Sequence, residues 1–266
     1  MAFQKSFKPA CRYQFRELLP SAGIYYLVIL CIYLFVPLFF STVIFGTSTP
    51  DGGSSIVAAH IGGSEMASMI FLLVVGLNSF KPQFLFFLAN TRSRRLFFVS
   101  RVAALLSLDL LMAVIDSLIG LTAGSLSPTF FPAYFQLYAH RFSGGLSSLT
   151  AAQRLEYFGE CLLWSFVLYA LFTFIGFAVT ILYYRMNRLV KYLVSWGVPV
   201  LLFIFLPVLD FQLFAGRLSK GIAQFFTVIA GFQGTPNPFL LILTGTAGSL
   251  LLAAVSWVMV RRAEVK

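Results

Sequence analysis

Asp109 and Asp116 are the side chains best placed to do chemistry in this sequence, because both stand inside a long apolar run. Seven residues apart on a helix, they share a face and lie about 10 Å apart along it. An acidic group near the centre of a membrane helix costs about 2.5–3.5 kcal/mol to insert, and each neighbouring Leu, Ile or Val returns only about 0.3–0.6 kcal/mol. These carboxylates must therefore face other helices or a wet cavity. Two readings follow. Lys81, at a similar depth on the preceding helix, would neutralise Asp109 as a buried ion pair. Alternatively, Asp109, Asp116 and Lys81 line a translocation path or relay protons.

Little else in the sequence suggests reactivity. Glu156 and Glu160 open an apolar helix, where the dipole favours acidic groups, and Asp210 has a similar terminal position. No nucleophile has an evident base, no H-E-x-x-H is present, and the GTPNP stretch lacks the Lys-Ser/Thr ending of a phosphate-binding loop. Cys11, Cys31 and Cys161 fit neither a pairing scheme nor a metal spacing, and His60 and His140 have no second ligand at helical spacing. The expectation is a chain with no catalytic centre, metal or cofactor of its own.

The elements that must hold these residues follow from composition. The 266 residues are 59% hydrophobic and only 11% charged, against about 25% charged in soluble domains. With 31 phenylalanines besides, such a chain needs lipid as its solvent. The apolar runs reach 20 residues and more, longer than the strands of about ten residues that build membrane barrels. An all-α, polytopic membrane protein is expected. The net charge of +10 then serves topology rather than nucleic acid.

Taken in order, residues 3–19 have Phe7, Cys11, Phe15 and Leu18 on one side and Lys5, Lys8, Arg12 and Arg16 on another. They predict an amphipathic helix from about Pro9 to Leu19 lying in the headgroup layer. The run from Ala22 to Phe45 is too long for the apolar core of a signal peptide and reads as a retained membrane helix. Six spans are expected, at about 22–45, 65–88, 96–123, 158–183, 192–214 and 239–260, the second interrupted at Lys81–Pro82. The aromatic stretch 127–156 reads as an outer loop of short helices anchored at the membrane surface. Residues 215–238 hold an apolar core too short to cross, which predicts a re-entrant or interfacial segment.

Fourteen of the 19 Lys and Arg residues fall on one side of this arrangement: at the N-terminus, around Arg92–Arg101, around Arg185–Lys191 and after Arg261. By the positive-inside rule both termini face the cytoplasm. The hairpin between the second and third spans, ANTRSRR, is then a short basic cytoplasmic turn that a soluble partner could grip.

The amphipathic N-terminal helix, the six spans, the basic hairpin FKPQFLFFLANTRSRRLFFVSR (80–101) and the short segment before the last span together resemble the permease subunit of an ABC-2-type ABC transporter. The hairpin is similar to the Asn-x-x-Ser-Arg-Arg/Lys stretch of small bacterial permeases in that family. The resemblance implies that Asn90, Thr91, Arg92, Ser93, Arg94 and Arg95 dock on a separate ATPase, with Arg12 and Arg16 of the N-terminal helix beside them. It further implies ATP and Mg on that partner chain, a second permease copy or a paralogue to complete the pathway, the bacterial plasma membrane as location, and export as direction. Two other classes fit the residues: an ion-coupled carrier using Asp109 and Asp116, and a membrane scaffold or sensor partner that docks something but moves nothing.

Overall fold

The computed structural model describes residues 2–43, 64–90, 93–126, 133–138, 141, 150–213, 216–229, 231 and 237–262. Among them are ten α-helices and no strand. They are α1 Ala2–Val43, α2 Ser64–Asn78, α3 Lys81–Ala89, α4 Arg94–Leu126, α5 Ala133–Tyr138, α6 Ala151–Arg185, α7 Arg188–Val200, α8 Leu206–Leu213, α9 Arg217–Ile229 and α10 Pro238–Arg261. Five stretches are long and apolar enough to cross a membrane: Phe7–Ile32 in α1, Ser64–Ala89 across α2 and α3, Arg94–Thr122 in α4, and the whole of α6 and α10. This fits an all-α, multi-pass membrane protein.

At three places the structure gives detail that the sequence pattern lacks. The N-terminal amphipathic segment is continuous with the first span, since α1 runs unbroken through Pro9 and Pro20. Its buried stripe is Gln14, Leu18 and Ala22, and it packs on α4: Gln14 Nε2 donates to Ser100 Oγ at 3.0 Å. The expected fifth span, 192–214, falls on a broken run. α7 gives way at Leu201–Phe205 to a π turn, in which the Leu206 N–H reaches back five residues to the Leu201 carbonyl, before α8 resumes. Pro199 and Pro207 flank the turn, and each removes one ordinary i→i−4 bond. Within the aromatic stretch 127–156 the described residues include one short helix, α5, which packs on the bundle. Tyr134, Phe135 and Tyr138 of α5 are buried, with the Tyr134 ring 5.8 Å from both Tyr157 and Trp164.

The interruption of the second span is where the sequence places it. Pro82 has no N–H to offer the Asn78 carbonyl, so α2 ends at Asn78 and α3 restarts at Lys81. Between them Ser79 turns its hydroxyl back onto the Val75 carbonyl. Phe80, wholly buried, fills the step with Phe84, Phe97, Phe177 and Tyr184 at ring distances of 4.8–6.2 Å. α6 opens with a capping box, Thr150 with Gln153.

The bundle closes on a seam between α2 and α6 in which backbone meets backbone. A Cβ on Gly76 would stand 2.3 Å from the Thr173 carbonyl oxygen, and one on Gly176 would stand 2.2 Å from that of Leu73. Only glycine allows this approach, the small-residue contact by which helices associate in lipid. Thr180 adds a hydroxyl bond to the Leu77 carbonyl. α10 joins the other side of α6, where Gly245 lies against Val167. By contrast α7 has no buried residue at all.

Candidate functional site

The hairpin, read as a coupling element, is held by three helices. α3 carries it from the Phe80 step, and Asn90 closes α3 with its side-chain amide on the Phe86 carbonyl at 2.8 Å. Ser93 Oγ accepts from the Leu96 N–H at 3.2 Å and so caps α4. Thr91 and Arg92 lie outside the described residues. Asn90, Ser93 and Arg95 are exposed, whereas Arg94 is half-buried and its guanidinium donates to the Arg261 carbonyl at 2.9 Å. Arg94 therefore closes the C-terminal end of α10, which no sequence reading anticipated.

α1 braces the same hairpin. Tyr13 stacks on Phe86 at 5.5 Å, and a groove of about 300 Å³ separates Pro9, Ala10 and Tyr13 from Phe86, Phe87, Asn90 and Leu96. Arg12 and Arg16 are exposed on the next faces of α1. Deeper in, Gln83 donates to Glu17 Oε1, and Glu17 Oε2 lies 3.8 Å from an Arg101 nitrogen. Arg101 is only 2% exposed, so it is not part of the free basic turn. It is a buried cation tying α4 to α1 and α3. The sequence signal for this cluster was available: Gln14 and Glu17 interrupt the apolar side of α1, as Gln83 does in α3.

The two aspartates do share a face of α4, and both are buried, but their surroundings differ. Asp116 accepts from Tyr26 at 3.0 Å on one oxygen and from Tyr169 at 2.5 Å on the other. It is thus pinned between α1 and α6. Next to it, Tyr25 and Ser68 share a bond of 2.8 Å. Asp109 accepts one bond, from Thr173 at 2.7 Å, and its second oxygen has no partner. On its own helix it is flanked by Leu105, Leu108, Met112 and Ala113, all fully buried.

The Lys81–Asp109 ion pair is not formed. Lys81 is exposed at the start of α3 and lines a surface cleft with α6 and α7 residues, whereas Asp109 and Asp116 are buried.

Two further carboxylates sit at the far end of the bundle. Glu65 opens α2, is buried, and accepts the N–H of Ala133 at 2.6 Å. Glu160 takes the Tyr134 hydroxyl and the Arg141 guanidinium, the latter at 2.8 Å. Burial and this acceptor push the Tyr134 phenol above its ordinary range, so it stays a donor. Both acids clamp α5 against the bundle. Asp210 caps α9 by accepting the N–H groups of Leu218 and Ser219, each at 2.9 Å. Among the described residues no group of three metal-binding side chains comes together. No protein family model, curated protein or solved structure matches the chain.

Proposed function

We propose that the chain is the membrane-embedded permease subunit of an ABC-2-type transporter, an exporter of a bacterial plasma membrane driven by a separate ATPase. The observation that carries the reading is the α3–α4 hairpin. It is a short helix stepped off its span at Pro82, ending in exposed Asn90, Ser93 and Arg95, and braced by α1 through Tyr13, Glu17 and Gln83. A turn so held behaves as a lever. A push on it moves α3 as a unit, and the Phe80, Phe84 and Phe97 rings and the Glu17–Arg101 contact transmit the push to α1 and α4.

In this reading the run α7–π–α8 crosses the membrane as the fifth of six spans, and both termini are cytoplasmic. The basic residues of α1, the hairpin and the end of α10 gather at one end of the bundle, as Tyr13 on Phe86 and Arg94 on Arg261 require. One such bundle makes half a pathway, and a second copy or a paralogue completes it. ATP and Mg bind the ATPase, and this chain does no chemistry.

The test is a mild-detergent pull-down of the tagged protein from its host. An ATPase with a phosphate-binding loop, near one-to-one and lost with Arg95→Glu, supports the reading. Arg95 is the clean position, since Arg94→Glu would also unseat the end of α10. A well-folded protein that comes down alone refutes it.

The ion-coupled alternative has one observation in its favour, the unpartnered oxygen of buried Asp109. It requires proton-driven transport in vesicles without ATP, abolished by Asp109→Asn.

A further inference from the structure

Lys81 on α3 and Arg188 and Lys191 on α7 come from two distant stretches of sequence, yet they line one open cleft of about 490 Å³ with Thr180, Tyr183 and Asn187. Its walls are the start of α3, the end of α6 and the start of α7, and a contact of 3.1 Å between Tyr183 Oη and Ser195 Oγ ties α6 to α7 beside it. No carboxylate lines the cleft. The ion pairs among the described residues, Arg101–Glu17 and Arg141–Glu160, use none of its three cations. Three like charges around one hollow repel each other unless an anion sits among them. Lys81 and Arg188 are also the first residues of their helices, so the positive ends of two helix dipoles face the same region.

From this arrangement we infer that the cleft binds the phosphate headgroup of an anionic phospholipid. The chemistry required is that of a phosphate anion: three cationic donors and the Asn187 amide, which makes no capping bond to its own helix. Lipid is favoured over a soluble phosphate compound by position. The cleft lies where α6 ends its apolar stretch, with Tyr184 and Met186 in its wall; in a helix that crosses a membrane, that end is where headgroups meet acyl chains. Basic hollows between membrane helices are the usual seats for such headgroups. The lipid would bridge α3, which carries the hairpin, to the otherwise loosely held α7. The inference needs only that the chain spans a membrane, and it stands or falls apart from the permease reading.

The experiment is native mass spectrometry of the detergent-solubilised full chain, titrated with phosphatidylglycerol and, separately, with phosphatidylcholine. The parent protein should retain one phosphatidylglycerol in preference to phosphatidylcholine. Lys81→Gln with Lys191→Gln should weaken that preference by about fivefold for each cation lost. A charge-matched control, Lys8→Gln with Arg262→Gln, should keep it. Three outcomes overturn the inference: a parent protein that does not discriminate between the two lipids; a control pair that loses the lipid as fully as the cleft pair; or inorganic phosphate at millimolar concentration displacing the lipid, which would assign the cleft to a soluble phosphate. The first is read on unaltered protein and does not depend on any variant folding.

Discussion

The seam between α2 and α6 and the run from α7 to α8 are written in the same apolar alphabet, yet they behave oppositely. The seam is closed to the backbone, with Gly76, Gly176 and Thr180 in contact across it. α7 itself buries none of its residues, and Leu189, Leu193 and Trp196 are 84, 72 and 74% exposed. In water this would be unstable. In lipid an apolar side chain gains little by leaving acyl chains for another helix, so hydrophobicity does not decide which helices associate. Small residues and hydrogen bonds do. α2 and α6 offer both to each other. α7 offers the bundle little more than the Ser195 contact at its cleft end.

The largest effect that would break this contrast is a single methyl group. Gly76→Ala or Gly176→Ala places a Cβ against a main-chain carbonyl at 2.2–2.3 Å, with no flexible side-chain tip to move aside. The helices must separate, and Thr173 and Thr180 move with them. Overpacking of this kind costs about 1–3 kcal/mol or more. Either variant should show a clear fall in thermal midpoint in detergent and a smaller monodisperse fraction on size exclusion. A variant as stable as its parent would mean that the seam is looser than the geometry states.

A smaller effect separates the two aspartates. Asp116→Leu takes the carboxylate from the Tyr169 hydroxyl and from the Tyr26 hydroxyl, which keeps only its longer 3.3 Å bond to the Met112 carbonyl, at about 1–3 kcal/mol. Asp109→Leu frees only Thr173, whose hydroxyl can fall back on a carbonyl of its own helix, and it removes an unpartnered oxygen as well. Its cost should stay below about 1 kcal/mol, within the range measured for single hydrogen bonds in membranes. Thermal unfolding of the two variants side by side should rank Asp116→Leu as clearly the worse. The reverse order would make Asp109 the structural residue and Asp116 the free one.

Much of this architecture was legible because membrane helices must be long and apolar, and because Pro82 denies the Asn78 carbonyl its helical donor. The shared face of Asp109 and Asp116 followed from their spacing alone. Their partners did not. Tyr26 and Tyr169 lie in apolar runs where a tyrosine looks like packing, and only the crossing of α1, α4 and α6 brings them to a carboxylate. Lys81 was assigned to Asp109 by depth along the helix. Lys81 is exposed while Asp109 is buried, a difference that depth in a one-dimensional reading does not carry. Arg94 and Arg101 looked like members of one basic turn. Burial of Arg101 beside Glu17, and the end of α10 arriving at Arg94, sort them into structural roles and leave Arg95 as the free cation among these three.

The smallest effect is expected where the seam's substitution is repeated in α7. Gly197→Ala puts its Cβ 3.9 Å from a Leu193 methyl, an ordinary contact, so nothing within this chain resists it. Helix propensity alone then favours alanine by up to about 1 kcal/mol. The thermal midpoint of the dilute, detergent-separated protein should stay level or rise slightly. The same variant in native membranes is the more informative measurement. If α7 faces only lipid, the result does not change. If the second copy required by the permease reading seats its own helix on Gly197, the methyl group opens that contact. Cross-linking between copies through a cysteine at Trp196 should then fall, while each chain stays as stable as before.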